Sequence, residues 1–309
     1  MITKMRLIWR IVLIICILTI YTISTSSEKS LVSGKTDNFV SEVAICAVAK
    51  NEREIHEWVE YHYKLGIEKF YIYDNGDIDE KQYLKDFIQQ GVVSLAVDTS
   101  LAPQLKIYHQ CLKEHRHHHR WIAFIDVDEF IVAKNSCSIP SILKRYERYG
   151  GLTLSWMMFG SSGHEKKPPG GVLGNYWRCF KFEHIKSIVN TRYTLTHKGN
   201  PHSFTYRPGY FAVDTNFIQV PGPTNPFRDS LYEIMYINHY HLKSREEFEV
   251  IKKRGRASTT AKGKKSMNPQ YFEFINGLAK NNCSLLFMPK EKSIDCALEY
   301  FENRPLTFD

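Results

Sequence analysis

Trp121-Ile-Ala-Phe-Ile-Asp-Val-Asp-Glu-Phe-Ile131 decides how this chain is read. It is an apolar run that ends in two carboxylates spaced i, i+2 and then resumes, the signature of a buried strand with acids at its carboxyl end. Open α/β sheets bind ligands at such strand ends. Asp126 and Asp128 there suit a hard divalent cation that keeps several waters and takes its other ligands from phosphate oxygens. The plainer alternative is a strand end whose acids cap a helix or face water. The apolar flanks on both sides favour the cation reading.

Working outward, strands and helices alternate on both sides of this stretch. Val43–Ala49 reads as a first strand, broken by Lys50-Asn-Glu-Arg-Glu54. Ile55, Trp58, Val59, His62 and Leu65 then recur at helical spacing up to Gly66, a C-terminal stop. Lys69–Tyr73 forms a second strand ending in an acidic turn from Asp74, Val92–Val97 a third, and a helix spans about Pro103 to His117. This alternation predicts a Rossmann-like α/β fold with a parallel sheet and right-handed crossovers. No Gly-x-Gly-x-x-Gly follows the first strand, which argues against a dinucleotide cofactor. Beyond Ser138 the pattern predicts a helix near Ile139 to Tyr149 and a strand from Leu152 to Phe159. Gly- and Pro-rich loops follow through Pro226, then strands at Tyr210–Thr215 and Leu231–Tyr240 and a helix near Arg245 to Lys253. This half reads as the acceptor side and lid.

The net charge of +8 is concentrated, with nine Lys/Arg between Lys243 and Lys265. Such a segment attracts polyanions, whether a nucleic acid or a diphosphate, and is otherwise a solvated basic face. At the N-terminus, Lys4 and Arg6 precede an apolar span over residues 7–23, with Arg10 snorkelling near its first end. This predicts a short cytoplasmic tail (1–6), a transmembrane signal-anchor (7–23), a stem (24–41) and one domain from 42 to 309. A cleaved signal peptide competes with the anchor. Either places the domain in a secretory lumen, where nucleic acid is not the expected partner. Six cysteines outside the span can pair there, with Cys283 and Cys296, the nearest in sequence, the first pair to test. Asn282-Cys-Ser284 is a weak glycosylation acceptor. His115 and His117–His119 resemble a metal cluster, yet three consecutive histidines cannot all face one ion, so a solvated face is expected.

Cys46-Ala-Val-Ala-Lys-Asn-Glu52, Glu57-Trp-Val-Glu-Tyr-His62, Phe70-Tyr-Ile-Tyr-Asp-Asn75, the Asp-x-Asp stretch, Phe159-Gly-Ser-Ser-Gly-His164 and Ile237-Asn-His-Tyr-His-Leu-Lys-Ser244 occur in order. Together they resemble the family 92 glycosyltransferases and a related family-2-like group, over about residues 43 to 256. The resemblance implies a GT-A fold, a mixed sheet with flanking helices, and inverting hexose transfer from a nucleotide-sugar, UDP-galactose in characterised relatives. It further implies a glycan or glycoconjugate acceptor, manganese or another divalent ion such as magnesium, and often a type II Golgi anchor. An inactive, carbohydrate-binding homologue is the alternative.

On this footing Asp128 is expected to ligate the metal, and Asp126 to serve the metal or the donor ribose. Glu129 is expected to point the other way, since strand neighbours alternate faces. His239 is the expected third ligand, with His241 as its alternate two residues on. Lys50, Glu52 and Asp74 are placed at the nucleotide, and Lys243, Lys252 and Arg254 around the diphosphate. Glu165 is the candidate base, with His164 orienting donor or acceptor. Trp156, Tyr176 and Trp177 could stack on a sugar, although core packing is the ordinary role for a buried Trp.

Overall fold

A computed structural model describes residues 39–134, 136, 138–226, 228–255 and 268–283. The expected anchor, nearly all of the stem, and Cys296 lie outside the described residues, as do residues 256–267 of the basic segment. Among the described residues no helix is long and apolar enough to cross a membrane.

A mixed sheet is flanked by helices. Its parallel half is β1 (Ser41–Ala49), β2 (Lys69–Asp74), β3 (Val93–Val97) and β4 (His119–Phe124), in the order β3-β2-β1-β4. From Val43 onward β1 is apolar because both faces are covered. Val43, Ile45 and Ala47 face α1 (Ile55–Lys64) and α2 (Lys81–Gln89), whereas Ala44, Cys46 and Val48 face α3 (Gln104–His115). α1 stops where its spacing predicts, with Gly66 at φ +87°.

The second half departs from the sequence reading. The Asp-x-Asp stretch itself follows that reading, since β4 ends at Phe124 just before the two acids and the chain resumes after a turn at residues 125–128 as β5 (Glu129–Ala133), with Glu129 N–H donating to the Asp126 carbonyl at 3.0 Å. Residues 178–190, expected as loop, form the 13-residue β7 (Arg178–Asn190), antiparallel to both β4 and β6 (Gly151–Phe159). From Phe180 to Glu183 it alternates apolar and charged residues, a strand pattern hidden among neighbouring glycines and prolines. β11 (Met235–His239) runs parallel to β6 and antiparallel to β5, which ends the sheet. The remaining short strands are β8 (Thr194–His197), β9 (Phe204–Tyr206), β10 (Ala212–Val213) and β12 (Asn281–Asn282). The helix expected through Tyr149 is shorter, α4 (Ile139–Leu143) plus one 3-10 turn, and α5 (Arg245–Arg254) and α6 (Pro269–Leu278) complete the fold.

An edge strand leaves a row of backbone groups without partners. On β5 the side chains of α1 take them. Trp58 Nε1–H donates to the Glu129 carbonyl at 2.7 Å and Tyr61 O–H to the Ile131 carbonyl at 2.9 Å, while Ile131 N–H donates to His62 Nε2 at 3.1 Å. The helical spacing at 58, 61 and 62 therefore buries one face of α1 and pins the strand that carries Glu129.

Cysteine pairing also differs from expectation. Cys283 is joined to Cys179, 104 residues away, with the two Cα atoms 5.9 Å apart. β12 pairs antiparallel with β7, and Cys283 N–H donates to the Trp177 carbonyl at 2.8 Å, which carries Cys283 alongside the start of β7 within reach of Cys179.

Candidate active site

β1, β4, β6 and β11 run in the same direction, so their carboxyl ends share one edge of the sheet. A cleft at that edge is lined by Lys50 and Glu52 after β1, Asp126 and Asp128 after β4, His239 and His241 at the end of β11, and Trp156, His202 and Arg254.

Within it Asp128, His239 and His241 each offer a ligand atom, all within 4.8 Å of one another. Asp128 Oδ2 lies 3.4 Å from His239 Nε2. Burial opposes ionisation of Asp128, but His239, His241 and Lys243 outweigh it and hold the carboxyl well below the usual range. Burial likewise disfavours the charged His239, and the surrounding Asp128, Glu129 and Asp126 reverse that and raise its pKa. One carboxylate and two imidazoles are hard-to-borderline donors suited to a divalent first-row ion. Two of the three expected ligands are thus brought together, and His241 joins them.

Asp126 is held differently. Its Oδ1 accepts from Gln104 Nε2 at 2.6 Å and from Tyr108 O–H at 3.2 Å, and its Oδ2 lies 2.9 Å from Lys186 Nζ. Lys186, on β7 and 1% exposed, was not singled out in the sequence. A lysine inside Ile185-Lys-Ser-Ile-Val189 was the available signal, because a buried lysine needs an acid partner. Glu129, expected to point away from Asp128, does not line the cleft and lies buried beneath it: its Oε2 accepts from Asp126 N–H at 3.0 Å and lies 3.4 Å from Lys186 Nζ. Burial pushes its carboxyl up to about 8, with Lys186 opposing.

Lys243 and Arg254 reach the cleft through acids. Lys243, buried at φ +54°, sits 3.5 Å from Glu52 and 3.2 Å from Glu54; Arg254 Nη2 donates to Glu52 at 2.5 Å. Burial works against the Glu54 carboxylate, yet Lys243 and Lys167 bring its pKa down to about 2. Two further nitrogens of Arg254, Nε and Nη1, are buried without a hydrogen-bond partner. Lys252 pairs along its own helix with Glu249 at 3.1 Å. Asp74, buried at the end of β2, accepts from Gly76 N–H at 2.8 Å.

His164 and Glu165 do not line this cleft. Their carbonyls accept from Arg245 N–H and Glu246 N–H at the start of α5, and the Glu165 carboxylate, 71% exposed, lies 2.9 Å from Arg245 Nε. Tyr176 is committed to the same region, its hydroxyl donating to Glu247 at 2.5 Å and accepting from Ser244 N–H at 3.0 Å. Trp177 carries the Arg178 guanidinium over its ring at 4.9 Å. Trp156 is the aromatic at the site, its ring edge-on to His239 at 4.3 Å. The expected solvated histidine face is only partly so: His119 is buried, accepting or donating at both ring nitrogens to Ser41 and Tyr71 at 2.7 and 2.8 Å, and His115 stacks on Tyr71.

The sequence model of glycosyltransferase family 92 matches residues 42–271. The chain belongs to glycosyltransferase family 92. A family 92 protein of Oryza sativa subsp. japonica is 30% identical over 156 residues, covering 48% of this chain and 26% of that protein. One of Ricinus communis is 28% identical over 221 residues, covering 67% and 37%. A galactan β-1,4-galactosyltransferase of Arabidopsis thaliana, GALS2, is 31% identical over 120 residues, covering 35% and 23%. The chain therefore spans well under half the length of these relatives. Among solved structures, S. aureus TarS aligns over 74% of this chain and 70% of its own at 11% identity, with a TM-score of 0.35.

Proposed function

We propose that this chain is a GT-A glycosyltransferase that moves a hexose, galactose favoured, from a UDP-sugar to a hydroxyl of a glycan or glycoconjugate, with inversion. The observation that carries this reading is the convergence of Asp128, His239 and His241 beside Lys50, Glu52 and Arg254 at the carboxyl edge of the sheet. Galactose is favoured because the galactan galactosyltransferase of Arabidopsis thaliana shares part of the sequence. Asp128, His239 and His241 would hold a divalent cation, manganese or magnesium. Bound there, it supplies charge neutralisation for a departing nucleoside diphosphate.

The protein's own groups do the rest. Arg254 presents its unpartnered Nε and Nη1 to an anion, and Lys243 adds a buried positive charge beside it. Asp126, fixed by Gln104, Tyr108 and Lys186, presents an oriented carboxylate to a donor hydroxyl. Trp156 walls the cleft and excludes water. Glu165, outside the cleft in this structure, can take the acceptor proton only if its loop moves toward the cleft and its ion pair with Arg245 opens, and His164 holds the same loop. The Cys179–Cys283 disulfide supports residence in an oxidising secretory lumen, and a type II Golgi anchor at residues 7–23 is part of this reading.

The test is sugar transfer from a panel of UDP-sugars with and without manganese, on the wild type and Asp128→Asn. We expect turnover that chelation and Asp128→Asn both abolish while the melting temperature holds. Turnover indifferent to both would remove the cation from the reading; failure of every UDP-sugar to bind or react would remove the enzyme.

A further inference from the structure

We propose that Glu129 is a positioning residue of the cation site: its buried carboxyl sets the ring of His239, and together with Lys186 it reserves the site for Asp128, His239 and His241. This deepens the reading above and rests on it. The Glu129 side chain is 0% exposed and its two oxygens are used unequally. Oε2 accepts from Asp126 N–H at 3.0 Å and lies 3.4 Å from Lys186 Nζ, which ties the Asp-x-Asp turn to β7. Oε1 has no hydrogen-bond partner and faces His239 Nδ1 at 3.9 Å, a ring nitrogen that is buried and also without one. Two facing orphans of complementary chemistry at that separation are one short ring movement from a hydrogen bond.

The direction of that bond follows for the ionised Glu129, which Lys186 and a bound cation favour, because a carboxylate accepts and cannot donate. Nδ1–H donates to the carboxyl oxygen, so Nε2, the nitrogen 3.4 Å from Asp128 Oδ2, keeps its lone pair for a cation. A carboxylate behind an imidazole in this way fixes the ring and raises its basicity as a ligand. Lys186 does the complementary work. Its ammonium lies against Asp126 Oδ2 while Gln104 and Tyr108 occupy Oδ1, so the first acid of the motif has most of its acceptor positions taken, with room left on Oδ2 for a donor hydroxyl, and the second is left to the ion.

The competing role for Glu129 is simple neutralisation of the buried Lys186, and the experiment separates the two. Manganese binding to the full chain is measured by calorimetry, without donor sugar, for the wild type, Asp128→Asn, Glu129→Gln and the doubly neutral Lys186→Met/Glu129→Gln. We expect Glu129→Gln to lower manganese affinity about 10- to 100-fold. The double variant, which holds the fold should the single one not, should stay at least tenfold weak. Wild-type affinity in either variant, with binding lost in Asp128→Asn, overturns the role of Glu129 while the cation site stands. No manganese binding in the wild type overturns the cation reading and this inference with it.

Discussion

His62 should make this fold acid-sensitive, and the size of the effect follows from its surroundings. The ring is fully buried in α1, with Nδ1 2.8 Å from the Trp58 carbonyl and Nε2 accepting from Ile131 N–H at 3.1 Å. A carbonyl only accepts and an amide only donates, so the ring is neutral with its proton on Nδ1. Burial brings its pKa down from 6.5 to about 3, against a smaller opposing contribution from the Trp58 carbonyl. A depressed folded-state pKa means that the unfolded chain takes the proton first. Stability is complete above pH 6.5 and falls progressively from there until about pH 3. Between pH 7 and pH 5 this one group removes about 2 kcal/mol, a large share of the ~5–15 kcal/mol that holds a domain together. Glutamine carries a donor and an acceptor and does not titrate. Urea unfolding of wild type and His62→Gln at both pH values measures the difference. The wild type should lose about 2 kcal/mol more than the variant over that interval, His119 and His202 contributing equally to both. Equal losses in the two proteins would refute the assignment of a neutral, buried ring.

Three further outcomes are expected. Trp58→Phe removes the donor to the Glu129 carbonyl and should cost about 1–3 kcal/mol, read from the urea midpoint, with no change in its pH dependence. Cys179→Ser opens a loop of 104 residues and should cost up to about 4–5 kcal/mol; equal stability with and without reductant in the wild type would contradict the bridge. Arg254→Met should weaken UDP binding about tenfold while leaving manganese affinity unchanged, and a calorimetric titration with each ligand reports both.

The first half of the fold was legible because its signals are local. The apolar run of β1, the helical spacing of α1 and the Gly66 stop each fix an element within a few residues, and the strands they predict coincide with those observed. The site residues after β1 and β4 follow from that. Long-range facts were not legible in the same way. Whether residues 125–128 continue a strand or turn depends on a bond between Asp126 and Glu129, and that turn decides where Glu129 points. The role of Lys186 and the partner of Cys283 depend on which strands β7 joins, a register that no local spacing encodes. His241 lay in view as the alternate to His239, and the two-residue step past the end of β11 brings both to Asp128.

The way α1 covers β5 has a consequence for how copies of this protein meet. At that rim, the amides and carbonyls through which a neighbouring chain would add a strand are already engaged by indole, phenol and imidazole, so growth by sheet extension is blocked there. The opposite rim, β3, is short and carries Val97 at 72% exposure. Self-association in crowded solution should therefore begin on one side of the molecule, and a lysine placed at Val97 is the substitution that would discourage it.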